Sequence, residues 1–177
     1  MVTQASSDAS TRLNPLNVDI TVQGSGVNEK ILKLFPVATW ETWFYTWIKF
    51  LKVDLSPIHA YELSLQLVND SDIRRLNAIY RQKDYPTDVL AFAALATQTP
   101  QPAELWSAFP VCLGDIVISI ETAQRQAQQQ KCSLKHELTW LAAHGLLHLL
   151  GWDHPDDESL TKMLNKQTQL LYKINLN

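Results

Sequence analysis

At 177 residues, with 46% hydrophobic and 19% charged side chains, the chain has the make-up of one globular domain with a real core, which excludes a disordered polymer. The formal charge is −3, so any contacts to phosphate must come from a local patch rather than from a basic chain as a whole. Cys112 and Cys132 stand far apart in sequence and in no C-x-x-C pair, which excludes a disulfide framework and a thiolate zinc site and fits a reduced, cytoplasmic setting.

Residues 1–15 are rich in Ser, Thr, Ala and Asp and predict a flexible N-terminal tail ahead of a single domain over 16–177. No basic stretch followed by an apolar core opens the chain, so no signal peptide is expected. Val18, Ile20 and Val22 alternate with polar neighbours and predict a strand, ended by Gly24-Ser25-Gly26. Residues 28–35 are ambiguous. Thr39 is a candidate helix cap with Glu41 in the first turn. Trp40, Trp43, Phe44, Trp47, Ile48 and Leu51 follow at helical spacing, and such a stripe serves a core face more often than a ligand.

Leu63, Leu65 and Leu67 predict a second strand. Asn69 or Asp70 then caps a helix whose buried face is expected to carry Ile73, Leu76 and Ile79 or Tyr80. Arg74, Arg75, Arg81 and Lys83 form the densest basic cluster. Pro86 breaks the helix, and residues 87–92 predict a third strand. Residues 93–110 hold three prolines without a clear period and predict a long loop. Leu113-Gly114-Asp115-Ile116-Val117-Ile118-Ser119 suits a fourth strand buried on both faces. Residues 121–131 predict an exposed, Gln-rich helix, and Ser133 caps a long one reaching about Leu149. Pro155 suits the first turn of a last helix with Leu160, Met163, Leu164, Gln167, Leu170 and Leu171 inward. The expected fold is α+β: one small mixed four-stranded sheet, a hairpin around the long loop, about five helices, and the long helix central.

The chemistry concentrates in His144-Gly145-Leu146-Leu147-His148-Leu149-Leu150-Gly151-Trp152-Asp153-His154. His144 and His148 are four apart in a helical run and share one face. Gly151 can adopt positive φ and end the helix, letting His154 return to the pair. Three imidazoles leave one coordination position open on a tetrahedral zinc, the pattern of a catalytic site. The same spacing holds the zinc of metzincin proteases, but those place a glutamate base after the first His, where this chain has Gly145. A second near match, His136-Glu137-Leu138-Thr139-Trp140, has Trp140 at the second ligand position. Peptide hydrolysis by the glutamate route is therefore disfavoured. The run Leu141–Leu150 contains two histidines and is too short to span a membrane.

This signature resembles that of the YbeY endoribonucleases, H-G-x-L-H-L-x-G-Y/H-D-H, with Trp152 as the departure. The segment Leu76–Phe92 is similar to the family's L-N-x-x-Y-R-x-x-D-x-P-T-D/N-V-L-S-F, with Ala91 in place of Ser, and Gly114–Ser119 to its G-D-I-x-I-S. The resemblance implies a zinc-dependent, single-strand-specific endoribonuclease of ribosomal RNA processing, including 3′-end maturation of 16S RNA. It implies one zinc on His144, His148 and His154, an activity role for His144, and partners in single-stranded RNA and the small ribosomal subunit or its assembly factors, without DNA or membrane.

It also makes Arg81 the candidate phosphate-binding catalytic residue, a task suited to a planar, permanently charged guanidinium. On the sequence alone Arg81 reads rather as a cation at a helix C-terminus. Asp153 is a candidate to orient a ligand histidine or to cap the last helix. Asp84 and Asp88 are candidates to position Arg81 or to bind a phosphate-bridging metal. The alternatives are a metzincin-like protease or other metal hydrolase, and a non-catalytic ribosome-assembly factor with a structural zinc.

Overall fold

Four apolar segments pair into one sheet: β1 (Asn17–Ser25), β2 (Ala60–Val68), β3 (Val89–Ala93) and β4 (Val111–Ser119), in the order β1-β2-β4-β3. The computed structural model describes residues 15–96 and 107–176. Parallel pairing joins β1 to β2 and β2 to β4, while β3 runs antiparallel to β4, so the sheet is mixed and the expected hairpin forms. The expected tail lies outside the described residues except for Pro15, and so does the 97–106 part of the expected loop. Of that loop, Ala94–Ala96 forms a 3-10 turn.

Six α-helices occur among the described residues: α1 (Glu29–Leu34), α2 (Val37–Leu51), α3 (Asp70–Arg81), α4 (Ile120–Gln130), α5 (Leu134–Leu149) and α6 (Asp157–Lys173). The sixth is α1, whose single short run is too brief to show a period. On β2, Leu63, Leu65 and Leu67 point to one face of the sheet, and Leu65 lies beside Ile116, which lies beside Ala91. These side chains meet the tryptophan stripe of α2 and the apolar positions of α5 in one core. Trp40, Phe44 and Trp47 are fully buried there, and Trp47 Nε1 donates to the Leu170 carbonyl at 2.9 Å. The stripe is core, as the spacing predicts. Val68, Ile73, Leu90 and Val117 form a smaller cluster that includes the inner face of α3.

The long helix α5 is central. It packs on β3 and β4 and is flanked by α4 and α6. Ser133 caps it, its hydroxyl accepting from His136 N at 3.1 Å. Leu138, Leu141, Ala142, Ala143, Leu146 and Leu147 are all buried. Gly145 permits the close approach, since a Cβ there would stand 2.7 Å from Ile116 Cγ2 on β4.

Three local expectations are corrected. Helix α2 starts at Val37 after Pro36, with no side-chain cap, so Thr39 lies inside its first turn. Helix α6 is capped by Asp156, whose Oδ1 accepts from Ser159 N at 2.7 Å, and neither Pro155 nor Asp153 fills that place. On α3 the buried pair is Ile73 and Asn77, while Ile79 and Tyr80 are 70% and 65% exposed. Asn77 is drawn inward because its Nδ2 donates to the Tyr85 carbonyl at 2.8 Å, which fixes the chain leaving the helix.

Candidate metal centre

The centre forms where α5 stops. His144 and His148 lie one turn apart, with Nε2 atoms 3.0 Å from each other. Gly151 then takes φ 84°, a left-handed value that suits glycine. Its N–H donates to the His148 carbonyl at 3.0 Å, and the Trp152 N–H to the Leu147 carbonyl at 3.0 Å. This is the Schellman pattern, which caps the helix and reverses the chain. His154 returns with its ring centroid 5.5 Å from that of His144 and 5.2 Å from that of His148. One ligand atom from each histidine lies within 4.8 Å of the other two.

The donor chemistry fits a cation. Gln167 on α6 is fully buried, its Nε2 donating to the Trp140 carbonyl at 2.8 Å. That bond orients the amide so that Oε1 faces His144 Nδ1 at 3.2 Å. An oxygen accepts, so Nδ1 carries the proton and the Nε2 lone pair faces His148. Burial lowers the pKa of His144; the hydrogen bond to Gln167 opposes this, the charge of His154 adds to it, and Asp88 opposes it more weakly, so the net shift is downward. His148 is lowered by burial first and then by its two histidine neighbours. Both rings are thus held in the neutral form that binds metal. Two nitrogens on a tetrahedral zinc stand about 3.3 Å apart, from Zn–N bonds of about 2.0–2.1 Å. The 3.0 Å found here requires only a small opening of the pair.

A cleft of about 670 Å³ opens over the three rings, within the range of roughly 300–1,000 Å³ typical of ligand sites. Arg81, Asp88 and Asp153 line it together with the histidines. Arg81 comes from the last turn of α3 and forms no ion pair with another described residue, whereas Arg74 is bound to Asp84, Arg75 to Asp72 and Arg125 to Asp70. Asp84 is held 2.8 Å from Arg74 and does not line the cleft. Asp88 accepts from Val89 N at 2.8 Å and from Gln126 Nε2 at 2.9 Å, which fixes its carboxylate at the cleft wall. Asp153 Oδ1 accepts from His154 N at 2.8 Å and so shapes the return loop.

Two features had no role assigned from sequence. Gln167 was legible only as a polar interruption of the apolar face of α6; a buried amide must find partners, and here they are the site. Glu137, of the second near match, is buried at 2% exposure and contacts Cys132 Sγ at 3.6 Å. It serves the core between α4 and α5 and does not line the cleft.

The profile described as Endoribonuclease YbeY matches residues 27–175. The chain belongs to the YbeY endoribonuclease family. The Endoribonuclease YbeY of Trichormus variabilis is 58% identical over 144 residues, covering 79% of this chain and 81% of the relative. That of Acaryochloris marina is 53% identical, covering 86% and 88%, and that of Synechocystis 43%, covering 96% and 97%. The solution structure of TM1509 from Thermotoga maritima shares the fold, with a TM-score of 0.53 and 23% identity over 88% of each chain. The enzyme class is therefore the one the histidine signature implies, an endoribonuclease. Gly145, at the position of the protease base, is turned into the sheet against Ile116. Among the described residues no helix is long and apolar enough to cross a membrane.

Proposed function

We propose that this chain is a zinc-dependent endoribonuclease that cuts single-stranded RNA during ribosomal RNA maturation in the cytoplasm, including the 3′ end of 16S RNA. The observation that carries the reading is the cluster of three imidazoles opening into a cleft that also holds the Arg81 guanidinium, which forms no ion pair with another described residue. His144, His148 and His154 would hold one zinc ion, three protein ligands being the number that a catalytic zinc site uses. The chemistry such an ion would supply there is Lewis acidity towards a phosphoryl oxygen or a water. Arg81 binds the non-bridging oxygens of the scissile phosphate and offsets the charge that builds on them. Gln167 holds His144 in the tautomer whose Nε2 is a donor. Asp88 and Asp153 act on this assembly by position: Asp88 favours the charged form of His144 and Asp153 that of His148.

The test combines metal analysis with cleavage. Protein loaded with one equivalent of zinc is expected to cut a single-stranded RNA, to spare the matching duplex, and to leave casein intact. Chelation should abolish cutting and zinc should restore it. Chelator-sensitive proteolysis would overturn the reading. Zinc-loaded protein that cuts no RNA but co-sediments with small ribosomal subunits would make it an assembly factor instead.

A further inference from the structure

We propose that Tyr80, backed by Phe92, is a base-stacking platform for the nucleotide next to the scissile phosphate. This rests on the reading of the cleft as a ribonuclease site and names what recognises the RNA there. Tyr80 is the penultimate residue of α3 and is 65% exposed. A large exposed aromatic is ordinary when isolated. This one lines the same cleft as the three histidines, and so does Phe92 on β3. Their rings meet at 4.9 Å between centroids and 64° between planes. An edge-on contact of this kind covers at most one face of the Tyr80 ring, whose 65% exposure leaves the other open for stacking. Phe92 also packs on the small cluster of Val68, Ile73, Leu90 and Val117, so the platform is anchored in the sheet.

The neighbouring residue supplies the second half of the argument. Arg81 follows Tyr80 directly, and the helix ends after it with Gln82 in the left-handed region at φ 58°. Both side chains reach the cleft. A π face and a guanidinium side by side match the base and the phosphate of one nucleotide. Stacking on an aromatic ring tolerates any base, because every base has a π face. It also requires that the base be free of its own helix, so a duplex cannot use the platform. The preference for single strands then comes from Tyr80 and Phe92, and the cutting from Arg81 and the metal centre.

The experiment is steady-state cleavage of a short single-stranded RNA by metal-loaded protein carrying Tyr80→Leu, Tyr80→Phe or Tyr80→Trp. Leucine keeps an apolar contact with Phe92 and removes the π face. The Tyr80→Leu protein should show KM raised about 5- to 150-fold, the loss expected for one stacked base, with metal content unchanged. The Phe and Trp proteins should stay near the wild type. A set of RNAs with one abasic nucleotide walked past the cleavage position provides the decisive comparison. At one position the abasic RNA should weaken the wild type and leave the Tyr80→Leu protein no worse than on intact RNA. Tyr80→Leu equal to wild type, or an equal loss with every abasic RNA in both proteins, would overturn the platform while leaving the nuclease reading intact. Failure of the wild type to cut RNA at all would instead remove the reading on which it rests.

Discussion

Gln167 accepts from Nδ1 of His144 across the α5–α6 interface at 3.2 Å, and its own amide nitrogen is tied to the Trp140 carbonyl at 2.8 Å. The first bond chooses the histidine tautomer, and the second prevents the amide from flipping. Replacing Gln167 by Leu keeps similar volume and removes both. The Gln167→Leu protein is expected to bind zinc about 10- to 100-fold more weakly, the usual loss for a partner that orients a ligand histidine. Competition with a chromophoric chelator measures it. Unchanged affinity would show that His144 is oriented without Gln167.

Arg81 should carry cleavage without carrying the fold. It is exposed at the end of α3 and forms no ion pair with another described residue. Arg81→Ala is expected to lower the cleavage rate about 10²- to 10³-fold, as for loss of one electrostatic donor. Zinc content and melting temperature should stay near the wild type. Arg81→Lys should restore little, since an ammonium lacks the planar fork. The contrast is Arg74→Ala, which frees Asp84 on the surface and should leave turnover nearly unchanged. Near-normal cleavage by Arg81→Ala would remove the assigned role.

Gly145 inverts the ordinary helix rule. At an exposed helix interior, Gly→Ala is stabilising by about 0.5–1 kcal/mol. Here the added Cβ would meet Ile116 Cγ2 at 2.7 Å and Cγ1 at 3.1 Å. The Gly145→Ala protein is expected to be less stable by about 1–3 kcal/mol, the range for overpacking a filled core. Urea unfolding measures the difference. A gain in stability would mean that α5 and β4 separate easily.

Glu137 links stability to pH. Burial pushes its carboxyl above the usual carboxylate range, and the nearby charge of Asp88 adds to the effect. The fold therefore favours the protonated acid. Its contribution is complete below the unfolded pKa of about 4.3 and is lost as pH rises through the folded value. A Glu137→Gln protein keeps the acceptor for Cys132 and carries no charge. It should melt above the wild type at pH 7, and the gap should close as the pH falls towards about 4. A gap that is constant with pH would show that the carboxyl does not titrate on folding.

Local order was decided by sequence wherever one period or one turn residue suffices. The spacing of His144 and His148 puts two donors on one helical face in any fold that keeps the helix, because the 3.6-residue repeat is a property of the backbone. Gly151 ends that helix because a left-handed residue there meets no Cβ penalty. The tryptophans of α2 and the leucines of β2 declared themselves as core by the same regularity. Tertiary structure decided what no local pattern holds. The sheet order β1-β2-β4-β3 sets β3 beside β4 and under α5, which is how Phe92 and Asp88 come to the histidines from far up the chain. The inward turn of Asn77 towards the Tyr85 carbonyl left Tyr80 exposed, against the apolar count along α3. Gln167 became a partner of His144 only because α6 packs on α5. These contacts depend on which surfaces meet, and that is fixed by burying the whole apolar area at once rather than by any single segment.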